Sequence, residues 1–186
     1  MARYKQVMLE GVCTFPKLFV PEEYNGVKQW SCGVILTDEA KERFLKAAHQ
    51  VIEETAGADK VEALLRKFKG SRQSWPLREL DDGAFSISSK RKEDKGAPIV
   101  IDQKKQMIPS TAGKPYAGCQ IKMLVTVYFY DKNGGGVTTY LEGVQFVADG
   151  TPLSGGATAG QIKNAFDVIE TPEVPVEEED DPFGGM

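Results

Sequence analysis

The apolar pattern of the chain predicts a mainly β fold with an α insertion, an antiparallel sheet interrupted by a pair of helices. Three observations carry that expectation. Residues 120–147 hold two alternating runs on either side of a glycine turn, two runs near the start alternate in the same way, and between them residues 38–69 repeat apolar side chains at three- and four-residue steps.

Val7, Leu9, Cys13 and Phe15 occupy alternate positions in residues 4–15, a first strand that ends at Pro16. Residues 19–26 are expected to form a loop, since they contain Pro21 and the turn pair Asn25-Gly26. Alternation resumes over 27–36 with Trp30, Cys32, Val34 and Leu36 on the core face, and Gly33 marks a bulge where the sheet bends. Thr37-Asp38 then caps a helix whose Phe44, Ala48, Val51, Ile52 and Thr55 share a face until Gly57. A second helix follows, with Val61, Leu64, Leu65 and Phe68 as its stripe and Lys67, Lys69 and Gly70 at its C-terminal end.

Residues 71–114 read as a basic loop region with short strands at 84–89 and 98–102. Beyond it, Ile121, Met123, Val125, Val127 and Phe129 point one way, while Lys122, Leu124, Thr126, Tyr128 and Tyr130 point the other. Residues 131–136 supply the reversal, and 137–147 return as the antiparallel partner. Helices inserted into a run of antiparallel strands fit an elaborated OB-type five-stranded barrel better than a parallel α/β sheet. The domain spans 1–166, with the helical insertion at about 38–69 and the basic loops at about 71–114. From Thr171 onward, proline and acids without an apolar period predict disorder, and 167–186 is assigned as an acidic tail.

The formal net charge of −4 divides unevenly. Residues 167–186 carry eight acids and no Lys or Arg, so the remaining body has a net charge of +4, and between Arg66 and Lys114 twelve bases face six acids. A basic body with an acidic tail suggests an anionic ligand that the tail can imitate. No apolar run approaches the roughly 20 residues that span a bilayer, and the start lacks the apolar core of a signal peptide, so a cytosolic protein without membrane contact is expected. Cys13, Cys32 and Cys119 are odd in number and widely spaced among apolar residues, as core thiols would be.

Aromatic side chains can stack on bases while cations follow a flexible polyanion, and this chain has both. The stacking candidates are Trp75, Tyr116, Tyr128 and Tyr130; the phosphate candidates are Arg72, Lys90, Arg91, Lys92, Lys104, Lys105, Lys114 and Lys122. The competing account is that the tyrosines cover a half-buried sheet and the lysines merely solvate loops. An enzyme has less to recommend it. Glu79, Asp81, Asp82, Asp94 and Asp102 could hold Mg²⁺ in a nuclease, but Leu80-Asp81-Asp82-Gly83 is also an ordinary turn, and His49 lies within a helix away from any triad. There is no P-loop, GxSxG or HExxH, and no cofactor is expected.

The chain resembles the bacteriophage single-stranded DNA-binding proteins with an OB fold. The resemblance rests on Trp75-Pro76-Leu77-Arg78, Phe85-Ser86-Ile87-Ser88-Ser89-Lys90, Ile99-Val100-Ile101-Asp102, Tyr116-Ala117-Gly118-Cys119, and Val144-Gln145 through Asp149-Gly150-Thr151-Pro152-Leu153-Ser154-Gly155-Gly156, in that order. It implies a non-enzymatic protein that coats single-stranded DNA in phage replication or recombination, in the cytoplasm of the infected bacterial host. Self-association into a homo-oligomer is compatible with it. Asp180-Asp181-Pro182-Phe183 is similar to the acidic tip by which single-strand binders recruit replication proteins, except that Gly184-Gly185-Met186 follow the phenylalanine. The alternative is a protein adaptor with a DNA-mimicking tail, and, further off, a strand-annealing recombinase or a metal-dependent nuclease.

Overall fold

The computed structural model describes residues 3–153 and 163–168. The chain divides into two units, Met1–Gly156 and Ala157–Met186. The first unit opens with its longest element. Strand β1 (Tyr4–Tyr24) alternates as expected through Cys13 but does not stop at Pro16; it runs on to Tyr24 as one arm of a hairpin with β2 (Val27–Leu36). The expected loop at 19–26 is therefore corrected to strand up to Tyr24. The prolines are accommodated because pairing with β2 is interrupted around them, with register shifts between Thr14 and Lys17 and between Lys17 and Glu22. Asn25 (φ 50°) and Gly26 (φ 79°) make the two-residue reversal that Asn-Gly favours. Gly33 lies opposite Thr14 beside the first shift, where a Cβ would clash with Thr14 Oγ1.

Helix α1 (Asp38–Ala56) begins where expected, with Thr37 Oγ1 accepting from the Ala40 amide at 3.2 Å, and ends at Gly57. Its buried face, Ala40, Phe44, Ala47, Ala48, Val51 and Ile52, belongs to the same core as the barrel strands. Helix α2 (Val61–Lys69) buries Val61 and Phe68, and Phe68 meets Phe129 with ring centroids 6.0 Å apart. The short β3 (Leu77–Glu79), absent from the expected elements, pairs with β4 (Phe85–Lys92). Three residues suffice for it because Arg78 and its neighbours need only match one edge, too short a run for alternation to register.

Strand β5 (Ile99–Ile101) runs parallel to the returning arm of the hairpin β6 (Gln120–Tyr130) and β7 (Gly136–Ala148). The odd residues of β6 are buried and the even ones half-buried or exposed, as alternation predicts. Across the sheet the order is β3-β4-β2-β1-β6-β7-β5, and a further pairing of β4 with β7 closes β1, β2, β4, β7 and β6 into a five-stranded barrel. That closure is slight in backbone terms, a single parallel pair, Lys90 with Tyr140. Side chains reinforce it: Ser89 and Thr139, both buried, share a hydroxyl hydrogen bond of 2.7 Å across the seam.

The three cysteines are buried and unbridged, with Cys13 Sγ 3.8 Å from Cys32 Sγ. Hydrogen bonding to Cys13, together with burial, pushes the Cys119 thiol well up from its ordinary value, so it stays protonated. No helix of the described residues is long and apolar enough to cross a membrane. In the second unit, 163–165 form a turn of helix and Phe166 and Val168 are exposed. The expected disorder beyond Thr171 and the tip Asp180, Asp181, Pro182 and Phe183 lie outside the described residues.

Candidate nucleic-acid interface

The closure of β4 against β7 creates a groove of about 580 Å³ on the outer surface of the barrel. On one side stand Ser86, Ser88, Lys90 and Lys92, the outward residues of β4, with Gln29 of β2; on the other are Thr138 and Tyr140 of β7; Arg72, Trp75 and Arg78 complete it. The alternation of β4 explains the first set, because Ile87 and Ser89 turn into the core and leave the even positions outside. Four cations and no carboxylate line the groove, so it suits an anion. Lys90 also lies over the ring of Tyr24 at 5.6 Å, which brings the tip of the β1–β2 hairpin to its edge.

The segment carrying Arg72 and Trp75 is held by the hairpin beneath it. Tyr130 donates its hydroxyl hydrogen to Gln73 O at 3.0 Å, and the Val137 amide donates to Ser74 O at 2.9 Å. Arg78 donates to Arg72 O at 2.9 Å and so fastens the same turn from β3. Tyr140, 45% exposed, packs against Tyr128 with centroids 6.0 Å apart, and burial, ahead of the neighbouring phenols of Tyr128 and Tyr130, raises its pKa above the ordinary phenol value. Its hydroxyl stays neutral, so no phenolate opposes a phosphate there.

The structure brings Arg72, Trp75, Lys90 and Lys92 together and gives the other sequence candidates different surroundings. Trp75 needs correcting as a stacking platform: it is only 6% exposed, with its ring edge-on to Phe44 at 5.4 Å, and it forms groove wall. Arg91 is likewise corrected. It faces opposite to Lys90 and Lys92, and its guanidinium is taken up by Gly96 O and Lys95 O (each 2.7 Å), Leu141 O (3.2 Å) and Glu142 Oε2 (3.0 Å). Tyr130 is an anchor for the turn, and Tyr128 a support for Tyr140.

Tyr116 packs on the core, its hydroxyl donating to Asp149 Oδ1 at 2.8 Å and accepting from the Gly150 amide at 3.0 Å. Lys114 lies over the Phe146 ring at 4.7 Å and within 3.8 Å of Asp149. Lys104 and Lys105 occupy the turn after β5 that Asp102 Oδ1 organises by accepting from the Lys104 and Gln106 amides. Lys122 projects from β6 into a separate, mostly apolar hollow with Met8, Ile99 and Leu124. Sequence reasoning missed Arg78, Gln29 and Tyr140 as groove residues, and Tyr24 at the groove's edge; the outward alternation of 138 and 140 was available, but not the neighbour across the seam.

The acids considered for a metal site are spread over separate elements: Asp81 and Asp82 lie in a turn, with Asp82 Oδ1 accepting from the Ala84 amide at 3.0 Å, while Glu79 ends β3, Asp94 lies in the turn after β4 and Asp102 organises the turn after β5. Among the described residues no three metal-ligating side chains gather.

A sequence profile described as Enterobacter phage Enc34, ssDNA-binding protein, matches residues 5–181. The chain belongs to this family. By that description the family is one of ssDNA-binding proteins. The chain is also 31% identical over 155 residues to protein p50 of Acyrthosiphon pisum secondary endosymbiont phage 1, covering 78% of this chain and 84% of that one. Among solved structures it is similar to the single-stranded DNA-binding protein of bacteriophage Enc34 in complex with ssDNA, with a TM-score of 0.59, 17% identity, and 81% and 89% of the two chains covered. It is similar too to gp2.5, a single-stranded DNA binding protein encoded by bacteriophage T7, with a TM-score of 0.56, 18% identity, and 82% and 97% covered. These two likenesses bear out the OB-type barrel expected for this chain. The second and third strands of the barrel are β2 and β4, where the groove lies.

Proposed function

We propose that this protein binds single-stranded DNA without sequence preference and coats it during phage DNA replication or recombination. The observation that carries the reading is the groove of β4, β2 and β7, with four cations, no carboxylate and a partly open tyrosine on the surface that OB barrels use for oligonucleotides. Cations there neutralise phosphates, while Tyr140 and Tyr24 offer π-faces that accept any base. Hydroxyls and amides such as Ser86, Ser88, Thr138 and Gln29 suit the sugar-phosphate backbone more than a particular base edge.

The acidic tail, from about residue 167 with Asp180, Asp181, Pro182 and Phe183 near its end, is proposed to recruit replication or recombination proteins. It also competes with DNA for the basic groove until binding releases it. The test is fluorescence anisotropy of a labelled dT oligonucleotide and a matched duplex, with the full chain and a chain ending at Glu170, at two salt concentrations. Salt-sensitive binding to the single strand over the duplex is expected, tighter at low salt in the shortened chain. Absence of oligonucleotide binding by both would overturn the reading in favour of a protein adaptor, and equal affinities would remove the competition.

A further inference from the structure

One residue of the barrel has a backbone that its side chain does not favour. Phe15 has φ 44°, in the left-handed region that bulky residues avoid, and it is 79% exposed. It falls at the shift between Thr14–Gly33 and Lys17–Ser31, where β1 has an extra residue relative to β2. That is the place in a bulge where glycine is the usual occupant. Phenylalanine therefore adds strain there, and at this exposure its ring returns little of it by burial. Neither the fold nor the core accounts for the aromatic.

The place of the bulge suggests its use. Lys17 stands opposite Ser31, and Ser31 opposite Lys90, so one transverse row leads from the bulge over β2 to the groove. Two strand spacings put β1 about 10 Å from β4. A single strand that crossed β4 and β2 would meet β1 next. Resting on the single-strand reading above, we propose that Phe15 is a base-stacking platform that extends the binding surface beyond the groove. Its ligand is an unpaired base, held by its π-face and not by its edge, and the strained backbone keeps the ring presented in the absence of DNA.

Strain and stacking make opposite demands on position 15, and the test uses this. Phe15→Gly should leave the melting temperature equal to or above that of the parent, since glycine accepts the φ. Its affinity for a dT oligonucleotide should nevertheless fall about five- to hundredfold, the loss of one stacked base. Phe15→Trp should keep near-parental affinity and show indole quenching on adding the oligonucleotide, beyond the change seen in the parent. Parental affinity in a folded Phe15→Gly, or no added quenching in Phe15→Trp, overturns the stacking role while single-strand binding stands. A parent chain that binds no oligonucleotide overturns the underlying reading, and this one with it.

Discussion

Lys90, Arg91 and Lys92 look alike as a run of cations, yet strand alternation sends them to different work. Lys90 and Lys92 line the groove while Arg91 binds carbonyls and Glu142 on the opposite face. Extending the period of two from Ile87 and Ser89 would have separated them; reading the basic segment as loop hid the signal. Arg72→Ala, Lys90→Ala or Lys92→Ala should each lower the salt slope of oligonucleotide binding by about 0.7, the value for one single-strand phosphate contact. Lys104→Ala and Lys105→Ala should leave that slope unchanged, because their turn after β5 lies outside the groove. Titrations at four or five salt concentrations measure both. Arg91→Ala should act on melting temperature, since it removes donors from several carbonyls at once.

Among the elements, the two helices and the β6–β7 hairpin were legible because long periodic runs and their caps sit close together in sequence. The continuation of β1 past Pro16 was not, since bulges absorb the prolines that ordinarily end a strand. Nor was the seam, because alternation assigns a residue to a face without naming the strand beside it. There Ser89 and Thr139 satisfy each other in the core. Ser89→Ala should cost about 1–3 kcal/mol by stranding the Thr139 hydroxyl, and Ser89→Ala with Thr139→Val should recover most of it, measured by denaturant unfolding. The link of α1 to β1 has a pH signature. Arg43 hydrogen-bonds the Glu10 carboxylate, with Nη1 to Oε1 at 3.0 Å, and this bond holds Glu10 below the ordinary carboxylate range against the opposing effect of burial. Its contribution is full above the unfolded value near 4.5 and disappears as pH falls through the lower folded value. Both side chains are about a third exposed, so screening limits the pair to about 0.5 kcal/mol. Glu10→Gln should therefore reduce stability slightly at pH 7 and flatten its fall below pH 5.

For the molecule as a whole, the basic body and acidic end were readable from charge alone, while the groove needed the barrel to close. Positions 72, 90 and 140 meet only because β4 reaches β7. The weakest backbone ladder of the barrel therefore runs through the groove proposed for the ligand. One bridge pair resists opening there, against nine to eleven in the ladders that flank β6. Sub-global openings of a fold follow its least-bonded line, so amides at 89–91 and 139–141 should exchange with deuterium earlier than those of β6 in the free protein. An oligonucleotide touching both lips would act as a splint, and those same amides should slow most when it is bound. Mass spectrometry of the exchange would then show the DNA completing a cylinder that the chain by itself leaves lightly fastened.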